Sequence, residues 1–217
     1  MKSILAIVKR IYSSNIISFI LTAAVVLCAT TSGDAEIALS NGNYTWLLAA
    51  LAPFFVVFYD YTKLLHLGAS KKDYFIGSLM SYGALAVLIS LANTLIHLVI
   101  DPFNQTQTVV NLMELCGWTQ NGIAAAFLQQ TAFLLLAMIF LHVLLSMQPY
   151  WYGWAADVLL AAVICVFTPI APLRQVLAGF FRMVMFNANA PVHLGICLLL
   201  SAALSLGGLA VLKRKTL

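Results

Sequence analysis

The side chains able to do chemistry are few in this chain and can be taken one by one. Of 217 residues, 11 are Lys or Arg, 7 are Asp or Glu, 4 are His and 4 are Cys. A metal site needs several His, Cys or carboxylate ligands converging at short spacing. His66, His97, His142 and His193 lie on separate segments without such spacing. His97 and His193 fall towards the same face but lack further ligands, so packing histidines are expected and no metal. Cys28, Cys116, Cys165 and Cys197 show no C-x-x-C. Three lie in apolar runs, where Cys behaves as a small hydrophobe, and Cys116 in a polar loop has no evident partner. No disulfide is expected. The motifs G-x-x-x-x-G-K-[ST], H-E-x-x-H and G-x-S-x-G are absent, so no catalytic residue is assigned and the chain does not itself cradle a nucleotide phosphate.

What must position these residues is a chain solvated by lipid. Hydrophobic residues make up 63% and charged residues 8%, with mean hydropathy +0.99; soluble domains carry about 25% charged residues. A spanning helix needs about 20 predominantly apolar residues. Six segments qualify: 15–32, 46–65, 75–100, 123–147, 153–170 and 190–212. They are too long and too continuously apolar for barrel strands. The expected fold is an all-α integral membrane protein of six transmembrane helices, one domain over 1–217.

Lys2, Lys9 and Arg10 ahead of the run 16–28 resemble the start of a signal peptide, but no A-x-A site follows, and the run reads as a retained first span. Residues 1–14 place Ile4, Leu5, Ile7, Val8 and Ile11 on one side, the pattern of an amphipathic helix lying in the interface. Segment 171–189 is apolar but carries Arg174 and Arg182 between Pro169, Pro172 and Pro191, and reads as a re-entrant or surface-lying helical piece on the outer side.

Lys and Arg concentrate on the cytoplasmic side of membrane proteins. With the N-terminus inside, nine basic residues face inward (Lys2, Lys9, Arg10, Lys63, Lys71, Lys72, Lys213, Arg214, Lys215) and two outward (Arg174, Arg182). Both termini are therefore expected in the cytoplasm, with loops 33–45 and 101–122 outside. Trp46, Tyr59, Tyr61, Tyr74, Trp118 and the run PYWYGW (149–154) fall at span ends, as interfacial aromatics do. The basic residues are too few and scattered for nucleic acid; the lipid bilayer is the expected partner.

Ionisable groups at membrane depth are functional suspects. Asp157 is the acid most clearly inside an apolar run, whereas Asp60 closes the second span where water or headgroups reach it. Asn93, Thr94, Gln129 and Gln130 are polar and uncharged; they line a cavity or bond across helices. Asn93, Gln129, Gln130 and Asp157 make up the candidate substrate pathway.

One internal stretch is charged and punctuated by glycine: HLGASKKDYFIGS, 66–78. Gly68 suits the stop of a helix carrying Leu64, Leu65 and Leu67. Ser70 with Asp73 forms S-x-x-D, the capping pattern that opens the next helix. Lys71 and Lys72 then lie in a first turn, where the helix dipole disfavours cations, so helix stability alone does not place them there. This corner, together with six spans and an N-terminal interfacial helix, resembles the ABC-2 type permeases, the membrane subunits of ATP-driven exporters. The resemblance covers the chain in architecture and about a dozen residues in motif. It implies that Leu64, Leu65, His66, Leu67, Gly68, Ala69, Ser70, Lys71, Lys72 and Asp73 form a short coupling helix contacting a separate ABC ATPase. It also implies a second permease copy or homologue, ATP and Mg on the partner with no cofactor on this chain, and a bacterial cytoplasmic membrane. The expected cargo is a hydrophobic or amphipathic peptide, drug or lipid-like molecule. The competing expectation is an ion- or proton-coupled carrier working through Asp157 and the histidines.

Overall fold

The computed structural model describes residues 2–28, 37–103 and 108–214. The end of the expected first span (29–32), the start of loop 33–45 with Asp34 and Glu36, part of loop 101–122 and Lys215 lie outside the described residues.

Helix α1 (Lys2–Cys28) runs unbroken. The expected interfacial helix and first span are thus one element here; no Gly or Pro interrupts 2–28, and Ser13-Ser14-Asn15 does not supply a stop. A short strand β1 (Ile37–Leu39) and a 3₁₀ turn (Asn41–Thr45) lead into α2 (Trp46–Phe54). Pro53 lacks the N–H that would bond back along α2 and crowds the preceding turn. The helix widens immediately afterwards into π-helical turns (Phe55–Asp60) before resuming as α3 (Tyr61–His66). Helix α4 (Lys71–Leu95) likewise ends in π-helical turns (Ile96–Ile100). Strand β2 (Thr108–Val110) pairs in parallel with β1, Ile37 opposite Thr108. Then come the single turn α5 (Leu112–Leu115), α6 (Ile123–Met147), α7 (Trp151–Phe167), α8 (Ala171–Val184) and α9 (Ala190–Arg214).

Among the described residues five stretches are long and apolar enough to cross a membrane: Ile4–Val25, Asn41–His66, Lys71–Phe103, Ile123–Met147 and Ala190–Lys213. The sixth expected span corresponds to α7, apolar but only 17 residues long, about 26 Å against a hydrocarbon core of about 30 Å. Large apolar side chains point outward all along the rods, among them Ile20, Leu91, Leu159 and Leu199. Polar ones such as Ser78, Asn93, Gln130 and His142 turn inward. This is the arrangement of a multi-pass membrane protein.

Helix directions follow from individual contacts. Ile7 abuts Gly77, and the Tyr12 hydroxyl donates to the Ser81 carbonyl at 2.8 Å, so α1 and α4 run together. The Tyr82 hydroxyl meets His142 Nδ1 at 2.7 Å, which sets α6 against α4. Helix α9 runs alongside α6 in the same direction. Gln129 near the start of α6 donates to the Asn187 carbonyl just before α9, and Gly208 late in α9 abuts Val143 late in α6. The α7–α8 link therefore returns the chain from the end of α6 to the level where α6 began. One end of the bundle gathers Lys63, Lys71, Lys72 and Lys213; the opposite end gathers the strand pair, α5 and the α8–α9 turn.

Gly208 seats where an added Cβ would press on Phe75 and Val143, while neighbouring Gly207 faces open space. Gly208→Val is expected to lower stability by about 1–3 kcal/mol through overpacking, whereas Gly207→Ala is expected to leave it unchanged or improve it slightly. Thermal unfolding of the two variants in the same detergent checks the contrast.

Candidate functional site

The corner is built as its residues require. Gly68 takes φ 86°, a left-handed conformation that side chains oppose. Its N–H reaches the Leu65 carbonyl at 2.9 Å and the Ala69 N–H reaches that of Leu64 at 3.0 Å, the paired bonds of a Schellman stop. Two residues on, the Ser70 hydroxyl accepts from the Asp73 N–H at 3.0 Å and opens α4. The ten corner residues divide by depth. Leu64 is buried in the bundle core, and Leu65, Ala69, Lys71 and Asp73 are half-buried. His66, Leu67, Gly68, Ser70 and Lys72 are exposed, Leu67 to 69%. Leu64 therefore anchors the corner from beneath. Lys71 Nζ lies 3.4 Å from the Lys213 carbonyl in the last turn of α9. A cation that the start of α4 disfavours is stabilised there by the negative end of another helix.

The four pathway candidates do not converge. Asn93 is buried at the strand-pair end and exchanges amide hydrogen bonds with Asn111 at 2.9 and 3.3 Å. Gln129 holds the Asn187 carbonyl. Gln130, fully buried on the next position of α6, has no hydrogen-bond partner at either amide atom among the described residues. Asp157 stands at the other end, where its carboxylate accepts from Gln148 Nε2 at 2.8 Å across the tight α6–α7 turn. Asp157 fastens a turn, and the three amides belong to the opposite half of the bundle.

Two arrangements escape a reading by spacing. At the strand-pair end, Asn111 caps α5 through the Met113 N–H and donates to Ser40 Oγ, and Ser40 in turn donates to Asp101. His97 bridges Asp101 at 3.4 Å and Glu114 at 3.9 Å. His193 instead bonds the Val184 carbonyl and packs on Trp118, so the two histidines serve different contacts. The spacing N-x-x-E at 111–114 was a visible capping signal; its tertiary partners were not. Beneath the corner, at the start of α3, Asp60 is buried, 1% exposed, with Asn15 Nδ2 donating to its carboxylate at 2.5 Å. The expectation that water or headgroups reach Asp60 fails because α1 packs across it. Among the described residues no group of three or more His, Cys, Asp or Glu is placed to hold a metal ion.

No family model, curated protein or solved structure matches this chain.

Cys116 is not the loop thiol its polar neighbours suggested: it is buried against Met113, Trp118 and Ala126, and burial pushes its thiol up to about 12. A thiol raised by folding stays protonated in the fold while the unfolded chain ionises above about 8.5. Its contribution to stability is thus intact below that pH and is lost as pH climbs towards 12. In a variant keeping Cys116 alone, alkylation is expected to remain slow between about pH 8 and about pH 9.5, where an ordinary thiol accelerates, and to become fast on denaturation. Rates followed by mass spectrometry check this.

Proposed function

We propose that the chain is the membrane permease subunit of an ATP-driven exporter of the ABC-2 type, energised by a separate ATPase that docks on the corner around His66, Leu67 and Lys72. The observation that carries this reading is the corner itself. A helix stop and a helix start, both closed by their own hydrogen bonds, present one large apolar side chain and a cation beyond the end of the bundle. The buried side of the same element, Tyr61 and Leu64, sits in the core beside Tyr74. A push on the corner would therefore be felt by α2 and α4.

Two further features support it. The return of the chain through α7 and α8 to the start of α6 supports six crossings, with both termini at the lysine-rich, cytoplasmic end of a bacterial plasma membrane. Helix α8 is strongly amphipathic, with Arg174, Gln175 and Arg182 on one side and Val176, Phe180 and Met183 on the other. It is too short to span at about 21 Å, which supports a helix lying in the outer interface ahead of the last span. Such a permease works as a pair, with itself or a similar chain. Its cargo class is hydrophobic or amphipathic, as the Phe- and Met-rich face of α8 suggests.

Purification of the tagged chain from its native membranes in mild detergent tests the docking. The expected co-purifying chain carries G-x-x-x-x-G-K-[ST] and hydrolyses ATP. Leu67→Asp is expected to remove it without loss of insertion. Lys71→Ala is expected to have a smaller effect, because exposed polar pairs are worth about 0–1 kcal/mol. Full retention of the ATPase by Leu67→Asp overturns the reading.

Topology gives an independent check. A single cysteine at Gln175 is expected to react with an impermeant reagent from outside intact cells, and one at Lys72 only after permeabilisation. The reverse pattern inverts the map.

A further inference from the structure

We infer that Asp60 is a proton-binding site built into the joint between α2 and α3, and that its charge governs how firmly α1 is held there. The inference stands apart from the exporter reading, since it concerns the bundle and not the corner's partner.

Asp60 closes the π-helical turns that follow Pro53. Such turns inside helices recur at functional sites, and a carboxyl group at this depth is a functional candidate in its own right. Its surroundings are specific. From α1, Asn15 Nδ2 donates both to the Asp60 carboxylate and, at 2.9 Å, to the Ile11 carbonyl, so one amide is shared between the acid and its own helix. Among the described residues no ion pair to Asp60 is formed. The basic groups whose field reaches it, Lys63 on α3 and Arg10 on α1, are themselves exposed. From α4, Tyr74 turns its hydroxyl to the Val56 carbonyl at 3.1 Å and meets the Tyr61 ring edge-on at 5.1 Å. Deeper in, Tyr82 bonds to His142 on α6.

A carboxylate taken out of water needs a cation or several donors to offset its lost hydration; among the described residues one amide donor serves it. Taking a proton from hydronium at the lysine-rich end converts the carboxylate to the neutral acid, the proton residing on Oδ1 while Oδ2 still faces Asn15, and leaves water behind. The Asn15 bond is charge-assisted when Asp60 is ionised, about twice as strong as its neutral counterpart. Protonation therefore weakens the grip on α1. Helix α3 begins at the next residue and ends six residues later at the corner, about 9 Å away.

Infrared absorption of the full chain in lipid nanodiscs, stepped between about pH 9 and about pH 5, tests this. A carboxylic C=O band that grows as pH falls, is absent from Asp60→Asn and is shifted in Asp60→Glu is the expected result. Asn15→Leu removes a hydrogen bond that favours the charged form and is expected to tighten proton binding about tenfold or more. Amide exchange around Ile11–Asn15, taken relative to the intrinsic rate, is expected to quicken on protonation in the wild type. Absence of a titrating band that responds to position 60 or 15 overturns the site; a band with unchanged exchange overturns the grip on α1. Should Asp60→Asn fail to fold, the wild-type band and its movement in Asn15→Leu decide the matter.

Discussion

Helices immersed in hydrocarbon gain nothing by hiding apolar side chains from one another, because lipid tails are as apolar as leucine. Close backbone approach and polar groups with no other partner must hold them. Several of the contacts between helices in this bundle use one or the other. Gly77 admits Ile7 and joins α1 to α4, and Gly208 admits Phe75 and Val143 and joins α9 to α4 and α6. Tyr82 with His142 ties α4 to α6, Tyr74 with the Val56 carbonyl ties α4 to α2, and Asn15 with Asp60 ties α1 to the α2–α3 joint. Helix α6, in contact with α2, α4, α7 and α9, is the axis these ties surround.

The two ends of the bundle are made differently. Away from the lysines, a chain of side-chain bonds through Ser40, Asn93, Asp101 and Asn111, the β1–β2 pair and stacked Trp46 and Trp118 closes the helices under a polar lid. The other end has short turns, a glycine stop and cations, with Lys71 reaching the end of α9. Widened turns lie after Pro53, in the helix that leads to the corner, and at the far limit of α4, beside the strand pair.

Helix α7 departs from this pattern. Only Gly153 among its residues is buried, and an added Cβ there would collide with the Met147 carbonyl. The turn before it is therefore tight, while the rest of the helix stays exposed at the edge of the bundle. Helix α8 shares this peripheral position, with only Val184 buried.

Much of this was legible along the chain because it follows from local rules. Helix stops and starts at Gly68, Ser70 and Asn111 are set by φ and by side chains bonding within three residues. The apolar rods are set by their length against the bilayer. Depth and partnership were not legible, because both depend on which helix crosses a given turn. Asp60 and Asp157 look alike in sequence, one at the end of an apolar run and one near the start of another. Packing of α1 sealed the first against Asn15, forty-five positions away, and left the second to close a turn with Gln148. Cys116 sits among polar neighbours yet lies under Trp118, since the turn Trp118–Asn121 packs on the start of α6 and covers it. The sequence alone determined the solvent, the helices and their punctuation, which are energies of single segments. Only the tertiary structure decided which polar groups lost their water and to whom they turned, because that choice is made between segments.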